Sequence, residues 1–168
     1  VADPISGYVY VGSVGPRPNG GQIFVIDGLE VIGQFDVNSS VTAMDVNPKT
    51  GEVYVLNCTS DRELSLFRDG EFISAIRLGE ECSKRNIAVH PITGNVYVVD
   101  YVAHEVIVVR NMKIIGRAPV GLGSLKMAID PQTGNVYVAN FDEDTVTVIN
   151  GTETLASIDV GWYPYGIG

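Results

Sequence analysis

The chain has 168 residues, of which 45% are hydrophobic and 18% are charged. This balance is typical of an ordered domain and excludes an intrinsically disordered one. The net charge is −9, and an acidic surface repels phosphate backbones, so nucleic acid is not expected among the partners. No apolar run approaches the roughly 18 residues of a transmembrane helix, so membrane insertion is not expected either.

One short phrase occurs four times along the chain. In each copy, a turn that contains proline and ends in glycine precedes a strand that alternates valine and tyrosine. The turn glycines are 44, 43 and 40 residues apart and are Gly7, Gly51, Gly94 and Gly134. A nearly fixed period of this length indicates a tandem array of equal supersecondary units.

Each unit predicts a series of short β-strands, because apolar β-branched residues alternate or run together between turn residues. In chain order, the predicted strands are 8–11, 22–26 and 31–37; 52–56, 63–67 and 72–78; 95–99, 105–109 and 114–120; and 126–129, 135–139, 145–149 and 155–160. No stretch shows the 3.6-residue period of a helix. The sequence therefore predicts an all-β protein.

The last two strands of each unit are predicted to be joined by a tight hairpin turn. Three units carry Asp27-Gly28, Asp69-Gly70 and Asn150-Gly151 at this point, and Asx-Gly pairs favour two-residue turns because both positions need positive φ. The third unit has Asn111-Met112 instead. Methionine resists positive φ, so a longer or differently shaped turn is expected there.

Four-stranded units of about 40–44 residues in tandem are typical of β-propeller blades. We therefore predict that residues 1–168 form one β-propeller domain of four blades. Residues 165–168 and 1–3 together would make the first strand of blade 1, so that this strand is completed from both termini and closes the ring. Two alternatives stay open: four repeats of a longer propeller, or a split strand completed by a neighbouring chain.

The repeated phrase also resembles a known family. Residues 135–140 (NVYVAN), followed by 145–149 (TVTVI) and Val160-Gly161, resemble the YVTN β-propeller repeat, and the likeness extends over essentially the whole chain. The family includes archaeal surface-layer proteins and secreted bacterial propellers. The resemblance implies an extracellular or cell-surface location and a scaffold or binding role, and it supplies no catalytic residues.

Two kinds of covalent modification are candidates. Cys58 and Cys82 fall in loops at the same end of the propeller, so they are expected either to form a disulfide or to remain two buried thiols. Three N-glycosylation sequons begin at Asn38, Asn57 and Asn150. All three lie in predicted loops, where glycan attachment and ordinary turn chemistry are both open readings.

The candidate binding residues are Trp162, Tyr163 and Tyr165, which crowd the loop after the last strand. Aromatic rings there would stack on a sugar, anchor a partner, or pack where the ring closes. His90 stands where other units have Asp or Asn before the turn proline, so it is interpreted as a turn residue. His104 beside Glu105 is weak evidence for acid–base chemistry.

Metal and cofactor sites are not expected. Residues 142–144 are three adjacent acids, which lack the alternating spacing of a calcium loop and are interpreted as a solvated hairpin. No phosphate loop, nucleophile elbow or zinc motif is present in the sequence.

These observations favour a non-enzymatic, extracellular structural module that assembles with itself into a surface layer or filament, or binds other surface proteins or glycans. One alternative is a lactonase or hydrolase with a metal in the central channel, for which Asp45 is the only acid placed on an inner strand. The other is a glycan-binding, lectin-like propeller that uses the aromatic loop.

Overall fold

A computed structural model of the chain describes residues 1–14, 20–37, 40–57, 63–79 and 84–168, without the side chains of residues 63, 84 and 85. Every regular element in these segments is a β-strand. No described helix is long and apolar enough to cross a bilayer.

The strands form four antiparallel sheets in which neighbours in sequence are neighbours in space. The orders are β1-β2-β3, β4-β5-β6-β7, β8-β9-β10-β11 and β12-β13-β14-β15, and we refer to these sheets as blades 1 to 4. Their strands are β1 (Val9–Gly12), β2 (Gly21–Asp27), β3 (Glu30–Val37), β4 (Val41–Val46), β5 (Val53–Asn57), β6 (Glu63–Arg68), β7 (Glu71–Arg77), β8 (Lys84–Val89), β9 (Val96–Asp100), β10 (Glu105–Arg110), β11 (Lys113–Pro119), β12 (Ser124–Ile129), β13 (Val136–Asn140), β14 (Thr145–Asn150) and β15 (Glu153–Asp159). The prediction of four β-propeller blades is confirmed.

The predicted strands coincide with the observed ones to within two residues at each end. The first strand of blade 1 is represented by a bridge between Ala2 and Val9, so blade 1 has three full strands. Residues 165–168 belong to no strand. The completion of blade 1 by these residues stays a prediction.

The turn at Asn111-Met112 differs from its prediction. Arg110 pairs with Lys113, which leaves only two residues in the turn, and both have positive φ, at 49° and 54°. Blade 2 has the same turn at Asp69-Gly70. The prediction of a longer or differently shaped turn is wrong, because the pairing of two long strands outweighs a local cost of roughly 1–2 kcal/mol at methionine.

In blades 1 and 4 the two-residue hairpin turn begins one residue later than predicted. Asp27 pairs with Glu30, and Asn150 pairs with Glu153. The turn residues are therefore 28–29 and 151–152, and the first of each pair is a glycine with positive φ. The predicted Asx residues end the preceding strand.

The chain divides into two compact units, Val1–Cys82 and Ser83–Gly168. Blades 1 and 2 form the first unit and blades 3 and 4 the second, and in each unit the two blades enclose an apolar core. The core of the first unit contains Ile23, Val37, Val46, Val53, Val55 and Phe67. The core of the second contains Tyr97, Val99, Val106, Val108, Ala118, Met127, Val136, Val138 and Ile149.

Candidate functional site

The repeated turn before the second strand of each blade is capped by a side chain of its own. In blades 1, 2 and 4, a carboxylate or amide oxygen accepts the backbone N–H two residues further on. The capping residues are Asp3, Asn47 and Asp130. Such Asx turns hold the backbone without help from tertiary contacts, so the repeated phrase is a building element of each blade and not a site.

His90 caps the corresponding turn of blade 3 with its ring. Nδ1 accepts the backbone N–H groups of Ile92 at 3.1 Å and Thr93 at 3.4 Å. The interpretation of His90 as a turn residue is therefore confirmed. Because Nδ1 acts as an acceptor, these hydrogen bonds assign the proton of the neutral imidazole to Nε2.

A histidine cap differs from an Asp or Asn cap because it has a second nitrogen. Nε2 of His90 faces the turn of blade 4, where a Cβ added to Gly134 would lie 2.8 Å from it. Gly134 has φ +77°, so glycine suits this position both for its backbone conformation and for the space it leaves. Within the described residues, Nε2 makes no hydrogen bond.

Asn95 provides a second polar group without a partner close to His90. Its side chain is 7% exposed, and its Oδ1 is buried with no hydrogen-bond donor among the described residues. In blade 4 the corresponding Asn135 Oδ1 accepts Nδ2 of Asn150 at 2.9 Å. Blade 3 has Arg110 at the position of Asn150, and Asn95 Oδ1 has no corresponding bond.

These groups line a cavity of about 250 Å³ between the turns of blades 3 and 4. Blade 3 contributes His90, Ile92, Thr93, Asn95 and Tyr97, and blade 4 contributes Gln132, Thr133, Gly134, Asn150 and Gly151. None of these described lining residues is a lysine, arginine, aspartate or glutamate. The cavity therefore offers the Nε2–H donor of His90 to a small uncharged molecule, and we call it the His90 pocket.

The aromatic loop predicted from the sequence lies in the same unit. Trp162, Tyr163 and Tyr165 are 86%, 61% and 64% exposed. Phe141, which the sequence reasoning did not select, joins the two tyrosines, with ring centroids 4.9 Å from Tyr163 and 6.3 Å from Tyr165. Asp144 accepts the backbone N–H of Tyr163 at 2.8 Å. A binding role for these residues stays a prediction.

A buried polar network lies behind this loop and was also not predicted. Nδ2 of Asn140 donates to Thr145 Oγ1 at 2.9 Å and to Thr147 Oγ1 at 2.7 Å. Oδ1 of Asn140 lies 3.0 Å from the Ser124 hydroxyl, which donates to it or to the Gly121 carbonyl. The network joins the start of β12 to the end of β13 and the start of β14.

The remaining acid–base candidates are not brought together. Glu105 forms an ion pair with Arg117, and Nδ1 of His104 is buried without a described partner. The described residues, including the acids 142–144, contain no group of three or more His, Cys, Asp or Glu that could hold an ion. Asp45 Oδ1 accepts the backbone N–H of Val46.

The modification candidates are placed differently from one another. Asn57 is buried, and its Nδ2, the atom that would carry a glycan, donates to Ser65 at 3.0 Å. Asn150 is exposed. Asn38, Cys58 and Cys82 lie outside the described residues. Glycosylation and the disulfide stay predictions.

Comparison with known proteins adds evidence on the fold. No family model matches the chain, and no curated protein matches it. Among solved structures it is similar to a protein of unknown function from Desulfotomaculum acetoxidans (TM-score 0.76, 13% identity, covering 94% of this chain and 58% of that one). It is also similar to a protein from Bacteroides uniformis assigned as a 6-phosphogluconolactonase (TM-score 0.70, 17% identity, covering 95% of this chain and 54% of that one). A third similar structure is a streptogramin B lyase (TM-score 0.70, 14% identity, covering 95% of this chain and 57% of that one).

These likenesses support the β-propeller fold, and the chain spans little more than half the length of each structure. They also correct one prediction. The expectation that the chain is not an enzyme is wrong as an inference from its propeller repeats, because proteins named as a lactonase and a lyase share its fold. The absence of a recognisable catalytic motif in the sequence is therefore no argument against catalysis.

Proposed function

We propose that this chain belongs to a β-propeller enzyme that opens uncharged cyclic esters, with the His90 pocket as its site. The observation that carries the proposal is the Nε2–H group of His90, which its own turn holds beside Gly134 and which has no described partner. The lactonase and the lyase among the similar structures support a reaction of this class.

The unpaired Nε2–H group of His90 suits one reactant of ester hydrolysis, the carbonyl group of the lactone. Nε2–H of neutral His90 donates a hydrogen bond to the carbonyl oxygen of the lactone and stabilises the negative charge that develops there. The nucleophile is a water molecule from solvent. The water oxygen bonds to the carbonyl carbon, the bond from that carbon to the ring oxygen breaks, and a water proton passes to the ring oxygen. The product is a hydroxy acid.

The pocket favours an uncharged substrate. A phosphorylated lactone would require arginine or lysine at the pocket, and neither is among the described lining residues. A cavity of about 250 Å³ accommodates a single small ring better than a large cyclic peptide. The proposed substrates are therefore small neutral lactones.

A variant that keeps the turn cap tests the proposal. His90→Asn retains a capping side chain, as Asn47 does in blade 2, but removes the Nε2–H group. Hydrolysis of γ- and δ-lactones by the full chain, followed by acid release, is expected, and kcat/KM should fall about 10²-fold in the variant, the cost of one oxyanion donor. Asn47→Asp, a change of cap at the corresponding turn of blade 2, should leave the rate unchanged. Absence of hydrolysis with the unmodified chain, or equal rates for His90→Asn, contradicts the proposal.

We also propose that the protein acts at the cell surface or outside the cell. The likeness of its repeats to the YVTN family supports this location. Recovery of the native protein with the cytoplasmic fraction of its source cells would contradict it.

A further inference from the structure

The histidine cap of blade 3 changes the hydrogen bonding of the turn that it caps. In blade 4 the Thr133 hydroxyl donates to the capping carboxylate of Asp130 at 2.6 Å. In blade 1 the Ser6 hydroxyl donates to Asp3 at the same distance of 2.6 Å. Thr93 occupies the corresponding position of blade 3, where an imidazole replaces the carboxylate. A neutral imidazole has one acceptor nitrogen instead of two acceptor oxygens, so the Thr93 hydroxyl lacks the acceptor that its counterparts use.

Thr93 is left with a hydroxyl that donates to no described group. Nδ1 of His90 already accepts the N–H groups of Ile92 and Thr93. Oγ1 of Thr93 accepts the Asn95 N–H at 3.3 Å, but its proton has no acceptor among the described residues. Thr93 is exposed and lines the His90 pocket. The pocket therefore receives two donors from one turn, the Nε2–H group of His90 and the hydroxyl of Thr93.

Blade 4 adds two polar groups to the opposite side of the pocket. The backbone N–H of Gln132 donates to Asp130, but its side-chain amide makes no hydrogen bond in the described part of the chain. Nδ2 of Asn150 donates to Asn135, whereas its Oδ1 accepts no bond from any described residue. Both side chains are exposed and line the pocket. The pocket thus carries uncharged donors and acceptors on both sides.

The pocket also has an apolar wall. Ile92 holds the position in blade 3 that Gln132 holds in blade 4, and its side chain lines the pocket and is 56% exposed. A ring with C–H groups on its faces and hydroxyl groups at its edge matches both kinds of wall. A ring without hydroxyl groups would displace water from the polar groups without replacing its hydrogen bonds.

We infer that the His90 pocket recognises polyhydroxylated lactones, the neutral lactones of sugars, and that Thr93 and Gln132 select for the ring hydroxyl groups. The Thr93 hydroxyl donates to one ring hydroxyl, and the Gln132 amide bonds to another. The carbonyl oxygen stays with Nε2–H of His90. The inference rests on the proposed function for the reaction, but recognition of the hydroxylated ring requires no catalysis and is measured separately.

Two measurements on the full chain test this inference. The first is binding, followed by NMR titration, of methyl glucoside, a hydroxylated ring without a lactone carbonyl, compared with tetrahydropyran, the bare ring. Methyl glucoside should bind and tetrahydropyran should not. The second is hydrolysis of gluconolactone compared with δ-valerolactone. Thr93→Val and Gln132→Met should each weaken glucoside binding and lower kcat/KM for gluconolactone about fivefold, the effect of one hydrogen bond, and leave δ-valerolactone hydrolysis unchanged.

Thr50→Val is the matched control. Oγ1 of Thr50 accepts the Glu52 N–H at 3.4 Å in the corresponding turn of blade 2, so the same exchange removes the same kind of turn bond there and should leave binding unchanged. Thr93→Ser keeps a hydroxyl, as Ser6 does in blade 1, and should retain binding. Circular dichroism should show every variant folded.

The outcomes separate this inference from the proposed reaction. Equal binding of the two rings, no binding of either, or equal behaviour of Thr93→Val and Thr50→Val would overturn the inference. Hydrolysis of both lactones with no effect of Thr93→Val on their ratio would overturn it as well, while supporting the proposed reaction. Binding that depends on the hydroxyl groups, with no hydrolysis of any lactone, would support the inference and contradict the proposed reaction.

Discussion

Replacing Asn140 by alanine should destabilise the second unit by about 3 kcal/mol. The amide donates two hydrogen bonds, to Thr145 and Thr147, and its oxygen lies 3.0 Å from the Ser124 hydroxyl, which donates to it or to the Gly121 carbonyl. Asn140 and Ser124 are 0% exposed, so water cannot replace the lost partner. Each such bond contributes roughly 1 kcal/mol net, and hydroxyl groups left buried without a partner add to the cost.

Urea unfolding with Thr147→Val as the second mutation measures this network directly. If Asn140 and Thr147 stabilise the unit through their shared bond of 2.7 Å, the double variant should lose about 1–2 kcal/mol less than the sum of the single variants. A loss of unfolding free energy below about 1 kcal/mol for Asn140→Ala, or strictly additive losses, would refute this reasoning. Leaving buried hydroxyl groups without a hydrogen-bond partner should cost more than that.

Two further predictions concern pH and a turn glycine. Burial, together with the charge and hydrogen bond of Glu52, raises the pKa of Tyr54 from 10.0 to about 12. The neutral phenol is therefore favoured in the folded state, and the stability that it contributes is fully present below pH 10 and is lost as pH rises toward 12. Alkaline unfolding curves should show this decline, and Tyr54→Phe should flatten it. Gly134→Ala should destabilise more than Gly7→Ala, although both glycines have φ near +77°. Only the added methyl at Gly134 would meet a neighbour, the histidine ring; equal losses in chemical unfolding would contradict that contact.

The strands were predictable because their signals are local. Valine and tyrosine alternate in the second strand of each blade, the other strands are rich in apolar β-branched residues, and turn residues separate them, so few residues are needed to locate an element. The hairpin turns were less predictable, since their position depends on which residues pair across two strands. Met112 adopts positive φ because Arg110 pairs with Lys113, and this register is not visible in the turn sequence itself.

The candidate site was only half predictable. The capping role of His90 follows from its place among Asp3, Asn47 and Asp130 in the repeat. Its free nitrogen could not be inferred, because the neighbouring Gly134 comes from the next blade. The unpaired state of Asn95 Oδ1 could not be inferred either, because it depends on how the surrounding side chains pack.

The way His90 is held has a consequence for recognition. Two main-chain N–H groups of the turn that it caps fix its orientation, so no other side chain is needed to position the ring. A ligand that accepts from Nε2 therefore meets a donor whose rotamer entropy was already lost when the protein folded. Binding at such a site loses little further freedom on the protein side, so even a ligand with few atoms can gain useful affinity from it.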